Sequence, residues 1–188
     1  MHLFEAGVGV VLLAAGSAKR FGGSKLTTDF RGRPLWEWAA LAAEQAGLAH
    51  RVVVVAPASP IGSRSGWQRI ENRFAAQGMG TSIVAGVAAS EKCSRILILH
   101  ADMPLVTSEH LRKLAEGSST VFTRYDANSY GCPAAFPRAV FPELRKLSGE
   151  QGARSLNLDE ATLVDPQDKD HLADIDTVRD LERLNVRR

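Results

Sequence analysis

A short apolar run near the start of the chain constrains the fold more than any other feature. Residues 7–13 read GVGVVLL, and residues 14–25 that follow are rich in glycine and cations. A continuous apolar run of this length is typical of a strand buried on both faces, as in a parallel sheet. In an open α/β sheet, ligands bind at the carboxyl ends of the strands, where this loop lies. The sequence therefore predicts a buried first strand that carries a ligand-binding loop.

Strand and helix patterns alternate along the rest of the chain. Further strands are predicted at 52–55, 96–99, 120–123 and 163–164, with a short one near Ile70. Helices are predicted at 35–46, 107–115 and 137–147. Another is predicted from a cap at Thr81 or Ser82 to residue 90. The last is predicted from a capping box at residues 177–180 to residue 185. This alternation predicts an α/β fold with three layers, α/β/α, around a mostly parallel, Rossmann-like sheet. A length of 188 residues predicts a single domain, 1–188.

Composition and charge exclude several classes of protein. Hydrophobic residues make up 45% and charged residues 23%, which is ordinary for a globular protein and too apolar for a disordered one. The net charge is only +2, so a nucleic-acid partner is not expected. No apolar run approaches the ~20 residues that a membrane helix needs, so a membrane partner is not expected either. Two distant cysteines, Cys93 and Cys132, predict a reducing cytoplasm rather than a disulfide framework or zinc site.

The loop after the first strand has the composition of an anion-binding loop. Its glycines and cations are Gly16, Gly22, Gly23, Lys19, Arg20 and Lys25. Glycines let backbone N–H groups turn toward an anion, and the cations can neutralise phosphate charge. The spacing matches neither the dinucleotide-binding G-x-G-x-x-G nor the P-loop pattern, so a surface loop with incidental cations stays open at this point.

A series of short motifs runs along nearly the whole chain. They are LAAG at 13–16, RFGG at 20–23 with KL at 25–26, GRPL at 32–35, GMGTSIVAG at 78–86, DMPL at 102–105, GCP at 131–133, GEQGAR at 149–154 and DIDT at 174–177. In this order they resemble the signatures of the molybdenum cofactor nucleotidyltransferases, within the wider sugar-nucleotide-transferase-like α/β superfamily. The resemblance implies one nucleotidyltransferase domain.

The reaction that this resemblance implies is nucleotidyl transfer. A phosphorylated acceptor attacks the α-phosphate of a nucleoside triphosphate, and pyrophosphate leaves; such chemistry is mostly positioning and charge neutralisation. The implied catalytic residues are Arg20, Lys25 and Asp102. The implied nucleotide-binding residues are Leu13, Ala14, Ala15, Gly16, Arg20, Lys25, Asn72, Gly80, Ser82 and Asp102.

The same resemblance implies a Mg²⁺ cofactor. Asp102 follows a strand and is the best candidate ligand, since Mg²⁺ is commonly held by one or two protein carboxylates. Asp174 lies where relatives place a second ligand, and Asp176, two residues on, would share its face on an extended segment. Turn-forming or pre-helix roles for these acids remain alternatives. Arg154 is the candidate for binding the acceptor phosphate, with an exposed surface arginine as its alternative.

Three positions or segments depart from the family pattern. Ser24 replaces the usual proline before the loop lysine, which we expect to loosen the placement of Lys25. Cys132 stands where relatives often have histidine. The segment between residues 55 and 78 is short, so we expect it to lack the helix that relatives usually have there.

One residue bears on the choice of nucleotide. In relatives LAAG tends to accompany CTP and LAGG to accompany GTP, so Ala15 favours CTP. The implied acceptor is the phosphate of molybdopterin, and the implied protein partner is a molybdenum enzyme. The alternatives are a guanylyltransferase, a nucleotidyltransferase with another phosphorylated acceptor, and a non-catalytic chaperone that binds the molybdenum cofactor.

Overall fold

Strands and helices alternate in the computed structural model, which describes residues 7–18, 20–156, 158 and 161–186. Lys19 therefore lies outside the described residues. The strands are β1 (Val8–Ala14), β2 (Asp29–Phe30), β3 (Arg33–Pro34), β4 (His50–Val55), β5 (Gln68–Glu71), β6 (Arg95–His100), β7 (Val121–Arg124), β8 (Tyr130–Pro137) and β9 (Thr162–Val164). The α-helices are α1 (Leu35–Gln45), α2 (Met79–Ala89), α3 (Ser108–Ala115), α4 (Phe141–Leu144) and α5 (Val178–Val186).

Seven of these strands form one sheet in the order β5-β4-β1-β6-β8-β7-β9. The strands β5, β4, β1 and β6 are parallel to one another, and β9 is parallel to β7. Strand β8 is antiparallel to both of its neighbours, β6 and β7. The short strands β2 and β3 pair separately. The predicted mostly parallel sheet is confirmed.

Strand β1 is buried on both faces, as its apolar run predicts. Val10 and Leu12 belong to the core on the side of α1 and α3, whereas Val11 and Leu13 belong to the core on the side of α2 and α4. Helices therefore cover both faces, and the predicted three-layer arrangement is confirmed. Helix α2 lies directly against β1, because a Cβ atom on Gly86 would come within 2.2 Å of Val11 Cγ1.

The helix predicted at 137–147 is wrong for most of its length. Residues 130–137 form β8, a 3₁₀ turn follows at Arg138–Val140, and only α4 is α-helical. Pro142 lies in the first turn of α4, where a missing N–H group costs nothing. Strand β8 escaped prediction because its sequence, YGCPAAFP, holds two prolines, which are rare within strands.

The helix start predicted at Thr81 or Ser82 is also wrong. Helix α2 begins at Met79 after Gly78, whose φ of 116° is readily adopted only by glycine. Other predictions are confirmed. Thr107 caps α3 by accepting a hydrogen bond from the N–H group of His110. The segment 55–78, described throughout, contains β5 and a 3₁₀ turn at Ala75–Gln77 but no α-helix. No helix in the described part of the chain is long and apolar enough to cross a membrane.

The last helix begins at the predicted capping box. The Thr177 hydroxyl accepts a hydrogen bond from Asp180 N at 3.2 Å, and Asp180 Oδ2 accepts one from Thr177 N at 2.9 Å. Helix α5 then packs Leu184 against Phe30, Leu35 and Ile175. This small cluster fixes the segment just before α5, which reaches the carboxyl end of the sheet.

Candidate active site

A cleft of about 710 Å³ opens at the carboxyl ends of β1 and β6. Its walls come from the loop after β1, the first residues of α2 and the segment before α5. The predicted site residues that line it are Leu13, Ala15, Gly16, Arg20, Lys25, Ser82, Asp102, Asp174 and Asp176. Parallel strands end at one edge of the sheet, so residues far apart in sequence meet there.

Three predicted nucleotide-binding residues, Ala14, Gly80 and Asn72, are not among the residues that line this cleft. Ala14 is buried in the core on the side of α1 and α3. Gly80 is buried against the backbone near residue 148, with its N–H group donating to Gly149 O at 2.9 Å.

Asn72 is buried and holds the start of α2. Its amide nitrogen donates to Thr81 Oγ1 at 2.9 Å and to Ser82 Oγ at 3.0 Å. Its side-chain oxygen, Oδ1, accepts a hydrogen bond from Phe74 N at 2.9 Å. The side chain therefore acts on the cleft through the position of α2, which is a different contact from the one predicted.

Lys25 forms the centre of a chain of ion pairs in the cleft. Its Nζ atom lies 2.7 Å from Asp102 Oδ2 and 3.4 Å from Asp176 Oδ1. The other carboxylate oxygen of Asp176, Oδ2, is 2.8 Å from Arg20 Nη2. The Lys25 side chain is only 8% exposed, whereas that of Arg20 is 74% exposed. One cation is thus enclosed and the other faces solvent.

The turn around Ser24 is well ordered by hydrogen bonds. Ser24 O accepts from Thr27 N at 3.0 Å and from the Thr27 and Thr28 hydroxyls at 3.1 and 3.3 Å. Lys25 N donates to Gly23 O at 2.8 Å. These contacts hold the turn that carries Lys25, and the expectation that Ser24 loosens the placement of Lys25 stays a prediction.

Asp174 and Asp176 reach the cleft because the residue between them is anchored. Ile175 is fully buried, and its N–H group donates to Asp102 O at 3.0 Å. The two aspartates on either side of it then lie in the cleft wall beside Asp102. Partial burial, followed by the negative charges of Asp176 and Asp102, raises the pKa of Asp174 above its ordinary value.

The charge of the cleft bears on whether it fits a metal ion. Among the described lining residues, four carboxylates face two cations; the carboxylates are Asp102, Asp174, Asp176 and Glu150. In the same part of the chain, no three histidine, cysteine, aspartate or glutamate side chains lie close enough together to hold a metal ion by themselves. A Mg²⁺ ion that binds with phosphates needs only one or two carboxylates, because phosphate oxygens and water complete its ligands. The residues present fit that smaller requirement.

A second cavity, of about 480 Å³, adjoins the first. The two share Met79, His100, Asp102 and Asp174. Its other walls are mostly apolar or aromatic, formed by Met103, Tyr125, Tyr130, Gly131, Cys132, Gly152, Ala153 and Leu172. Arg154 also lines this cavity, as expected for a residue that would bind the acceptor, and its Nη1 donates to Tyr130 O at 3.4 Å.

Tyr125 and Gly131 shape the wall of this second cavity. The Tyr125 hydroxyl donates a short hydrogen bond to Cys132 O. A Cβ atom on Gly131 would come within 3.1 Å of the Tyr125 ring, so the ring packs closely on that glycine. Burial raises the pKa of the Cys132 thiol to about 12, which keeps it protonated at neutral pH. Sequence reasoning missed the two tyrosines, and the GCP motif was the only signal for this wall.

A buried polar chain supports the same wall from behind. Thr123 Oγ1 donates to Pro133 O at 2.6 Å and lies 2.7 Å from His110 Nε2. Because the single hydroxyl proton goes to Pro133 O, the His110 ring donates from Nε2, and its buried Nδ1 has no hydrogen-bond partner among the described residues. Burial, with smaller contributions from Lys113 and His171, lowers the pKa of His110 to about 4.

Comparison with known proteins gives one family and two relatives of nearly equal length. Residues 10–162 match the family described as the MobA-like NTP transferase domain. The chain is 31% identical over 193 residues to the nicotine blue oxidoreductase of Paenarthrobacter nicotinovorans, covering 93% of this chain and 94% of that protein. It is 28% identical over 194 residues to the purine catabolism protein PucB of Bacillus subtilis, with the same coverage.

Solved structures share the fold. A nucleotidyl transferase from Methanothermobacter thermautotroptrophicus superposes with a TM-score of 0.81 at 19% identity, over 96% of both chains. The Rv0371C protein of Mycobacterium tuberculosis H37Rv, in complex with manganese, superposes with a TM-score of 0.75 at 23% identity, over 97% of this chain and all of that one.

Proposed function

The chain belongs to the MobA-like NTP transferase family and is a nucleotidyltransferase, and on that premise we propose that it transfers CMP from CTP to the phosphate of molybdopterin and releases pyrophosphate. The observation that carries the proposal is that a charged cleft and an aromatic cavity meet at Asp102. A transferase needs two such sites side by side, because the acceptor oxygen must reach the α-phosphate for a bond to form.

In the proposed reaction the first cleft holds the triphosphate. Backbone amides near Ala15 and Gly16, with Arg20 and Lys25, bind its phosphates and balance the negative charge. An oxygen of the acceptor phosphate forms a bond to the α-phosphorus, and the bond to the β-phosphate oxygen breaks. Arg20, which is exposed, can follow the departing pyrophosphate, while the enclosed Lys25 stays beside the reacting group.

Mg²⁺ is the proposed cofactor, and Asp102 with Asp174 or Asp176 would hold it. When bound, it would neutralise charge on the phosphates during transfer. Two observations support this assignment. The described residues around the cleft are acidic on balance, and the pKa of Asp174 is raised by neighbouring carboxylates that a cation would balance.

The preference for CTP rests on Ala15. This residue lines the cleft and is 9% exposed, and its methyl group would fill space beside a bound nucleotide. A loop with glycine at this position would leave room for a larger base. The resemblance to LAAG-containing relatives points to the same nucleotide.

The second cavity supports an acceptor that combines a flat ring system with a phosphate. Tyr125 and Tyr130 offer ring surfaces, Met79 and Met103 offer thioethers, and Arg154 offers one positive charge. A pterin phosphate has both features. We take residues 1–188 as one domain in the cytoplasm, where the free thiols of Cys93 and Cys132 would stay reduced.

The proposal is tested by measuring pyrophosphate release from purified protein supplied with Mg²⁺, molybdopterin and either CTP or GTP. We expect release with CTP, slower release with GTP, and none without the acceptor. Release with GTP alone would make the enzyme a guanylyltransferase. No release with either nucleotide, together with binding of the molybdenum cofactor, would favour the non-catalytic chaperone.

A binding measurement separates nucleotide use from acceptor identity. A ligand at 100 times its Kd stabilises a protein by about 2.7 kcal/mol, which thermal unfolding detects. Stabilisation by CTP with Mg²⁺ but no turnover with molybdopterin would point to another phosphorylated acceptor. Because one relative at 31% identity is named as an oxidoreductase, NADPH is a useful third ligand in this experiment, and preferential stabilisation by it would contradict the proposal.

A further inference from the structure

Lys25 lies where it competes directly with a metal ion. Its Nζ atom is 2.7 Å from Asp102 Oδ2 and 3.4 Å from Asp176 Oδ1, so one ammonium group bridges the two carboxylates. The side chain is 8% exposed, and no solvent layer separates the charges. A divalent cation placed on the same oxygens would lie next to this ammonium group, and like charges at such a distance repel strongly when little water intervenes.

The backbones that carry the two carboxylates and the ammonium group are anchored, whereas the side chain of Lys25 is long and flexible. Asp102 and Asp176 are linked through the backbone hydrogen bond from Ile175 N to Asp102 O, at 3.0 Å. The backbone of Lys25 is fixed by the 3₁₀ turn at Lys25–Thr27. Its side chain, however, is a flexible four-carbon stem that can turn its charge to another partner without moving that turn.

We propose that Lys25 excludes free divalent cations from Asp102 and Asp176 until a triphosphate arrives. A bound triphosphate gives the ammonium group a more negative partner, so Lys25 turns from the carboxylates to the phosphates. Both carboxylates then lose their contact with Lys25, and the metal enters together with the nucleotide. This inference rests on the proposed function only in taking a triphosphate as the ligand of the cleft.

The experiment measures Mn²⁺ binding to the full chain without nucleotide or acceptor. Electron paramagnetic resonance reports free Mn²⁺, whose signal falls as the ion binds. We expect weak binding by the wild type, and binding at least about 10-fold tighter by Lys25→Met, which removes the charge and keeps the volume. Lys25→Arg keeps a positive charge and should resemble the wild type.

Two further variants make the result specific. Lys113 lies outside the cleft, and its ammonium group also pairs with a carboxylate, that of Glu109, at 3.2 Å. The Lys113→Met variant should therefore bind Mn²⁺ like the wild type. Adding Asp102→Asn to Lys25→Met should abolish the gain. Equal Mn²⁺ affinity in Lys25→Met and wild type, or a gain that survives Asp102→Asn, would overturn the proposal.

A third measurement works even if the Lys25→Met variant does not fold. The wild-type protein together with CTP should bind Mn²⁺ at least about 10-fold more tightly than CTP binds it in the absence of protein. Tight Mn²⁺ binding by the nucleotide-free wild type would overturn the inference. Failure of the proposed reaction would appear separately, as absent pyrophosphate release.

Discussion

The two cavities that meet at Asp102 differ in chemistry and in how the chain builds them. The first is lined by charged side chains and by a loop that follows directly after β1. The second is walled mainly by aromatic and neutral groups, among them residues of β8 and the loop before it. Charge suits the triphosphate group, which every nucleoside triphosphate carries, whereas neutral walls of defined shape suit the ring system of one particular acceptor. Specificity for the acceptor should therefore depend on the second cavity.

The largest effect is expected at Asp102, one of the residues that both cavities share. Asp102→Asn removes a carboxylate from the proposed metal site and should lower turnover about 10³-fold, measured by pyrophosphate release. Asp126→Asn, at an exposed aspartate outside both cavities, should leave the rate unchanged. Near-normal turnover by Asp102→Asn would mean that the junction of the cavities is not the reaction centre.

A fall in pH should destabilise the buried polar chain behind the second cavity. The pKa of His110 falls from 6.5 to about 4 on folding, so between these pH values the unfolded chain binds a proton that the folded chain does not. Stability is therefore lost as pH falls through this range, by about 3 kcal/mol from this residue.

Urea unfolding of wild type and His110→Gln at pH 7 and pH 4.5 tests this. Glutamine can still donate to Thr123 but does not titrate, so the loss of stability between the two pH values should be smaller in the variant. Equal losses would show that His110 does not cause the acid sensitivity.

Removing the Arg154 charge from the second cavity should separate the two sites kinetically. Arg154→Ala should raise the KM for the acceptor about 10-fold or more, because a charge-assisted hydrogen bond is worth roughly 1.5–3 kcal/mol. The KM for the triphosphate should not change. The matched control is Arg145→Ala, since Arg145 pairs with Glu91 at 2.7 Å away from both cavities. A rise in the triphosphate KM alone would reverse the assignment of the two cavities.

The smallest effect is expected from the residue beside the nucleotide. Ala15→Gly removes one methyl group from the cleft and should shift the ratio of kcat/KM for CTP over GTP toward GTP by about 10-fold, since a methyl-sized change in a pocket is worth roughly 1–3 kcal/mol. The acceptor KM should stay the same. An unchanged ratio would place nucleotide selection elsewhere in the cleft.

Features that depend on local pattern were predicted well. The apolar run gave β1, the glycines and cations gave the loop after it, and the cap at Thr107 and the capping box at Thr177 gave two helix starts. Each of these features depends on residues within a few positions of one another. The same is true of the motif that contains Asp102, which follows directly on a buried strand.

Features that depend on distant partners were predicted poorly. Strand β8 exists because β6 and β7 pair with it from either side, although its own sequence disfavours a strand. Asn72 was predicted to bind nucleotide, yet its position is set by hydrogen bonds to the first turns of α2. Neither relation leaves a periodic signal in the chain.

The sequence by itself determined the layered α/β fold, the edge of the sheet that carries the cleft, and several of the residues that line it. Only the tertiary structure decided that Lys25 bridges Asp102 and Asp176, and that Tyr125 and Gly131 shape a second cavity beside them. Propensity and burial pattern act over a few residues and can be read along the chain. Ion pairs and cavity walls join residues that are distant in sequence, so they depend on the packing of the folded chain.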